Sequence, residues 1–169
     1  MTPLRVRDNA RQRRHVTGIR IGIVASQFNE SVTKALLDGA QDALAEAGVA
    51  RGCIETVSVP GAFELPVAAA AMASSGRVDA IVALGCLIRG ETPQYAAIGQ
   101  AVANGLMQVS VTQRIPVGFG VLIADSFAQA KARAGGRRGN RGQEAARAAL
   151  AMIPRVWAIG RAGSRRRRR

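Results

Sequence analysis

The chain has 169 residues, 48% of them hydrophobic, enough for one domain with a substantial core. Lys and Arg number 24 against 11 Asp and Glu, a formal charge of +13, with two cysteines and a single histidine. No apolar run reaches signal-peptide or membrane-spanning length and no CxxC spacing occurs, which argues against a secreted disulfide scaffold, a zinc site or a membrane anchor. A cytoplasmic protein with reduced thiols and no membrane contact is the expectation.

The charge sits at the ends. Residues 1–20 hold six Arg and one Asp (+5), residues 161–169 hold six Arg (+6), and residues 21–160 hold 12 basic and 10 acidic side chains (+2). Residues 1–17, which include His15, are expected to form a basic arm, 18–158 the folded domain, and 159–169 an arginine-rich tail. Solvated ends of this kind are common. The Arg165–Arg169 run also suits a polyanion such as RNA through counterion release.

Within the body, Ile19–Ala25 is β-branched and alternating, and predicts a first strand. Ser26–Asn29 forms a turn, and Ser31 offers an N-cap to a helix carrying Val32, Leu36, Ala40, Ala43, Leu44 and Ala47, closed by Gly48. Cys53–Val59 predicts a second strand, ended by Pro60-Gly61-Ala62-Phe63-Glu64-Leu65-Pro66, and Val67–Ser74 a short helix. Val78–Leu87 predicts a third strand, and Thr92 to about Thr112 a long helix with Pro93 in its first turn. Pro116 precedes a fourth strand, Val117–Ile123. Ser126 caps a helix reaching Ala134, Gly135-Gly136 breaks it, and a last helix runs from about Gly142 to Trp157, kinked or ended at Pro154. Cys53 and Cys86 fall in strand-like runs, as buried free thiols. Four alternations of strand and helix imply a parallel sheet with helices on both faces and right-handed crossovers.

In such sheets ligands gather at the carboxyl ends of the strands. Those ends carry Phe28 after the first strand, Phe63 and Glu64 after the second, and Ile88 to Gln94 after the third, while Phe119 lies within the fourth. The run Gly85-Cys86-Leu87-Ile88-Arg89-Gly90-Glu91-Thr92-Pro93-Gln94-Tyr95 passes from strand to helix, and the backbone N–H groups exposed there suit the anion of a phosphorylated small molecule. Core packing competes for Phe119. It competes less for Phe28 and Phe63, which lie in turns, where aromatics often stack on ligand rings.

Four segments carry a family likeness: Gly22–Asn29 (GIVASQFN), Val59–Pro66 (VPGAFELP), Gly85–Pro93, and Arg133–Ala146 (RAGGRRGNRGQEAA). In this order and spacing they resemble 6,7-dimethyl-8-ribityllumazine synthase, over roughly residues 17–153. The resemblance implies a flavodoxin-like three-layer αβα subunit, to whose four-stranded parallel sheet the N-terminal segment can add a strand. It implies pentamers, often twelve in an icosahedral 60-mer, with nucleic acid or riboflavin synthase as candidate cargo. It implies a transferase without cofactor or metal, condensing 5-amino-6-ribitylamino-uracil with 3,4-dihydroxy-2-butanone 4-phosphate.

By the same likeness Phe28 stacks on the pyrimidine, Ala62 and Phe63 line its pocket, and Glu64 accepts hydrogen bonds from the ribityl chain. Cys86, Leu87 and Ile88 offer backbone contacts to the heterocycle, and Glu91 and Thr92 border the phosphate. Phe119 and Arg133 come from a neighbouring subunit, Arg133 gripping the phosphate with support from Arg141, where the family usually has Lys. One departure stands out. Gln94 occupies the position of the family's proton-transferring histidine, and a carboxamide forms hydrogen bonds but does not shuttle protons near neutral pH. Glu91 stands where a small residue is usual. Two other classes stay open: a shell-forming relative whose chemistry has lapsed and whose tails bind nucleic acid or cargo, and a monomeric binding domain.

Overall fold

The computed structural model describes residues 18–166. The basic arm with His15, the additional N-terminal strand and the Arg167–Arg169 end of the tail lie outside them. Strand β1 (Ile21–Ser26) leads to α1 (Glu30–Glu46), β2 (Ile54–Val59) to α2 (Leu65–Ser74), and β3 (Ala80–Ile88) to α3 (Gln94–Gln113). Strand β4 (Val117–Ala124) leads to α4 (Phe127–Ala132), then to a small hairpin, β5 (Ala134–Gly136) and β6 (Gly139–Asn140), and to α5 (Arg141–Arg166). The four main strands form one parallel sheet in the order β2-β1-β3-β4.

Helices cover both faces, giving the three-layer, flavodoxin-like architecture. On one face β1 and β3 send Ile21, Ile23, Val82 and Leu84 against Leu36 and Leu44 of α1 and Ala149 and Ile153 of α5. On the other, Val24, Ile81 and Ala83 meet Leu65 and Met72 of α2 and Val102 and Leu106 of α3. The central strands β1 and β3 are buried almost throughout, which explains their continuous apolar sequences. Strand β2 is an edge, with Thr56, Val57 and Ser58 exposed.

Several boundaries differ from expectation, each for a local reason. Helix α1 starts at Glu30 because Asn29 takes a left-handed backbone (φ 60°) that turns the chain early, so Ser31 lies inside the first turn and caps nothing. Helix α3 starts at Gln94 with Pro93 just before it, and Thr92 supplies no cap. Cys53 belongs to a 3₁₀ turn and is only half-buried, whereas Cys86 is buried in β3. Ser126 does cap α4, its Oγ accepting from the Gln129 N–H at 3.3 Å, but α4 stops at Ala132. The Gly135-Gly136 break is the β5–β6 hairpin. Helix α5 passes through Pro154 to Arg166: Pro154 lies on the exposed side, where water can satisfy the carbonyl that its missing N–H leaves free.

Candidate active site

Two concavities stand out, at opposite ends of the sheet. The larger, about 1220 Å³, lies at the amino end of β4 between Ile115, Pro116, Met152 and Trp157, with Arg114 its one charged wall. That set can bury apolar surface but offers little chemistry. The smaller, about 330 Å³, opens at the carboxyl ends of β1 and β3. The chain order reverses between these two strands, so the cleft lies at the point where α/β sheets of this kind hold ligands.

Its walls come from three strand-to-helix turns. Phe28 stands after β1, Gly61 to Glu64 after β2, and Cys86, Leu87, Ile88, Gly90, Thr92, Gln94 and Tyr95 around the end of β3 and the start of α3. Phe28 and Phe63 are 68% and 62% exposed, so neither ring is spent on the core. Both can offer a face to a planar ligand. The turns are held rigidly. The Gln27 and Phe28 N–H groups donate to the carbonyls of Val59 and Pro60 (2.8 and 3.2 Å), tying the first turn to the second. Asn29 Nδ2 donates to the Cys86 carbonyl at 2.9 Å, tying the first to the third. Glu64 Oε2 accepts from the Gly61 N–H at 2.9 Å, closing the 3₁₀ turn and committing one carboxylate oxygen within the chain. Gly85 is needed for close approach: a Cβ there would press on Leu65 Cδ1 and Ser26 Oγ at 3.1 and 3.2 Å.

The titratable walls are Glu64, Cys86 and Tyr95. Burial pushes the Cys86 thiol up to about 11, so it is neutral across the physiological range and no nucleophile. Gln94 occupies the first residue of α3 and faces the cleft, with no imidazole in reach among the described residues. Among those residues no group of three or more His, Cys, Asp or Glu could hold a metal ion, and no helix is long and apolar enough to cross a membrane.

Nine of the residues expected at a site are walls of this one cleft: Phe28, Ala62, Phe63, Glu64, Cys86, Leu87, Ile88, Thr92 and Gln94, and Tyr95 is a further wall. Glu91 is exposed and is not a wall of the cleft. Phe119, Arg133 and Arg141 are not walls of the same chain's cleft either. Phe119 is half-buried in β4, packed against the α2–α3 side of the core. The two arginines flank the β5–β6 hairpin, and both bind Glu144.

Sequence reasoning quoted Asn29, Asn140 and Glu144 within motifs but gave them no task. Asn140 anchors the hairpin: its Nδ2 donates to the Ala35 carbonyl of α1 at 2.8 Å, and its Oδ1 accepts from the Gly142 and Gln143 N–H groups at 2.9 and 3.2 Å. Gly142 permits this seat, because a Cβ there would run into the Leu36 carbonyl oxygen. An Asn three residues before a helical Gln within a Gly-rich break was the one available hint.

A doubly wound parallel sheet with an aromatic-lined cleft at its switch point defines a flavodoxin-like α/β protein. Residues 18–156 match the family 6,7-dimethyl-8-ribityllumazine synthase, and the chain belongs to that family. Membership places it among the transferases of riboflavin biosynthesis, proteins that act on small molecules and typically assemble as oligomers.

Proposed function

We propose that this chain is an active lumazine synthase, joining 5-amino-6-ribitylamino-uracil to 3,4-dihydroxy-2-butanone 4-phosphate to give 6,7-dimethyl-8-ribityllumazine, phosphate and water. The observation that carries this reading is the cleft between β1 and β3, with two exposed Phe rings beside a carboxylate and a strand-to-helix turn. Phe28 stacks on the pyrimidine, Ala62 and Phe63 complete its pocket, and backbone groups of Cys86 to Ile88 meet the ring edge. Glu64 accepts from the ribityl hydroxyls through its oxygen not bound to Gly61. Thr92, and the backbone beside Glu91, border the phosphate.

Among the described residues, no wall of the cleft is an Arg or Lys. Arg133, supported by Arg141, and the ring of Phe119 therefore reach it from a neighbouring copy, in a pentamer and in the 60-meric shell twelve pentamers form. The amine attacks the ketone, phosphate leaves, and the ring closes. Most of the rate comes from holding two reactants in register, since effective molarities for oriented pairs reach roughly 10⁵–10⁸ M. With Gln94 in place of an imidazole, water or the substrate's phosphate carries the protons, at a cost of up to about 10²–10⁴ in rate.

The test is direct. Purified protein mixed with both substrates is expected to form the fluorescent lumazine faster than the spontaneous background, and sedimentation is expected to give a pentamer or larger. Product at the background rate would end the enzymatic reading.

The charge distribution supports a second property that does not depend on catalysis. With +11 of the +13 at residues 1–20 and 161–169, the arm and tail suit nucleic acid or another acidic cargo, including riboflavin synthase. Nuclease-treated particles whose absorbance at 260 nm does not fall with salt or on removal of residues 161–169 would count against it.

A further inference from the structure

Three charged side chains meet where the hairpin returns to α5. Arg133, just after α4, sets its fork on one carboxylate: Nη1 donates to Glu144 Oε1 at 3.1 Å and Nη2 to Oε2 at 2.9 Å. Nη1 also donates to the Arg138 carbonyl at 2.7 Å. From the first residue of α5, Arg141 Nη1 donates to the same Glu144 Oε2 at 3.1 Å. The hairpin backbone closes the arrangement, with the Arg141 N–H donating to the Arg133 carbonyl at 2.8 Å. Asn140 fastens the whole unit to α1.

Two cations sharing one anion leave the cluster with one net positive charge. Burial would raise the Glu144 carboxyl, but hydrogen bonds and charge from Arg133 and then Arg141 outweigh it and hold it below the usual glutamate range. The carboxylate is therefore ionised at neutral pH. Of the five N–H groups of Arg133, three are engaged, leaving two for a ligand. A free arginine must surrender its rotamer freedom when an anion arrives. Here that freedom is surrendered on folding, so an incoming phosphate meets donors already aimed.

We propose that Glu144 is a positioning residue, whose carboxylate holds Arg133 and Arg141 as one fixed pair of phosphate donors. This rests on the reading that Arg133 grips the substrate phosphate. The role has a sign that separates it from simple charge screening. A carboxylate beside two arginines lowers the local positive potential, so if screening were its whole effect, removing it would tighten anion binding. If it aims the arginines, removing it weakens anion binding although the site becomes more positive.

The experiment measures inorganic phosphate binding to the full chain by ³¹P line broadening, and KM for each substrate. The proteins compared are the unmodified chain, Glu144→Ala, Glu144→Gln and Arg133→Ala. Glu144→Ala is expected to raise the phosphate Kd and the KM of the phosphorylated substrate about tenfold, with the KM of the pyrimidine unchanged. Glu144→Gln, whose amide oxygen serves only one arginine well, is expected to fall between, near threefold. A lower phosphate Kd in either variant overturns the proposal. So does an equal rise in both KM values, or a loss of thermal stability with phosphate binding intact, since a merely structural residue would act that way. If Arg133→Ala leaves the phosphate Kd unchanged, the reading of the site itself has failed. If Arg133→Ala weakens binding and neither Glu144 variant does, the failure belongs to Glu144 alone.

Discussion

The cleft at the ends of β1 and β3 and the arginine hairpin between α4 and α5 are built on opposite principles. The cleft is made of backbone turns and apolar rings, braced from turn to turn by main-chain and Asn29 hydrogen bonds, and Glu64 is the one Asp, Glu, Lys or Arg among its described walls. The hairpin is made of charge: two guanidiniums on one carboxylate, clipped to α1 through Asn140 and Gly142. One region can shape a planar molecule but has no Arg or Lys among its described walls to hold an anion. The other can hold an anion but is no wall of the cleft. The condensation proposed above needs both, and in that proposal two copies join to complete one site.

The sharpest attempt to break this division is Arg133→Ala, expected to lower kcat/KM about 10²-fold through loss of charge-assisted hydrogen bonds to phosphate. If the halves come from different copies, oligomers assembled from Arg133→Ala and Phe28→Ala subunits should regain activity that neither variant has alone. Mixed assemblies no better than the average of the two parents would place both halves within one copy.

Next in size is the seat of the hairpin. Gly142→Ala pushes a methyl group against the Leu36 carbonyl and should cost about 2 kcal/mol of stability, within the usual range for overpacking. Denaturant titration checks it, and a change under about 0.5 kcal/mol would mean that α5 does not press on α1 so closely.

Gln94→His sharpens the cleft's side of the comparison. It is expected to raise kcat about tenfold and to introduce a rate dependence near pH 6.5, the usual imidazole range. The unmodified chain, with no imidazole among the described walls and a Cys86 thiol that titrates only near 11, should show only the step that the substrate phosphate itself brings, its second pKa being about 6. A pH profile unchanged by Gln94→His would mean that residue 94 does not touch the proton transfer.

The smallest effect concerns acid. Glu144 has its folded pKa held below its unfolded value, so its ion pairs contribute stability above the ordinary carboxylate pKa of about 4.3, which is lost as pH falls through the folded value. The stability gap between the unmodified chain and Glu144→Gln should therefore be small at pH 7, where the groups are half-exposed, and close on acidification. A gap that widens in acid contradicts the ion pairing.

Much of this is legible in the sequence. The apolar run of β3 announced a buried strand and the alternation of strands with helices announced a parallel sheet, whereas β1, expected to alternate, is buried on both faces. From that alternation followed the end of the sheet where Phe28, Phe63 and Gln94 would stand. The boundaries were less legible where backbone conformation decided them: the left-handed Asn29, the Pro93 flank of α3, and Pro154, which a helix absorbs when its orphaned carbonyl faces water. The exclusion of Glu91 from the cleft was equally hidden, since a charged residue in a turn can face either way.

Local chemistry along the chain thus determined the layers, the cleft and the family, because side-chain periodicity and turn residues are written in neighbouring positions. Only the tertiary structure decided that Asn140 would clasp the carbonyl of Ala35, 105 residues away, and that Arg133 would lie across Glu144 rather than beside its own cleft. Contacts between distant segments depend on how helices pack against the sheet, and spacing along the chain does not encode that distance.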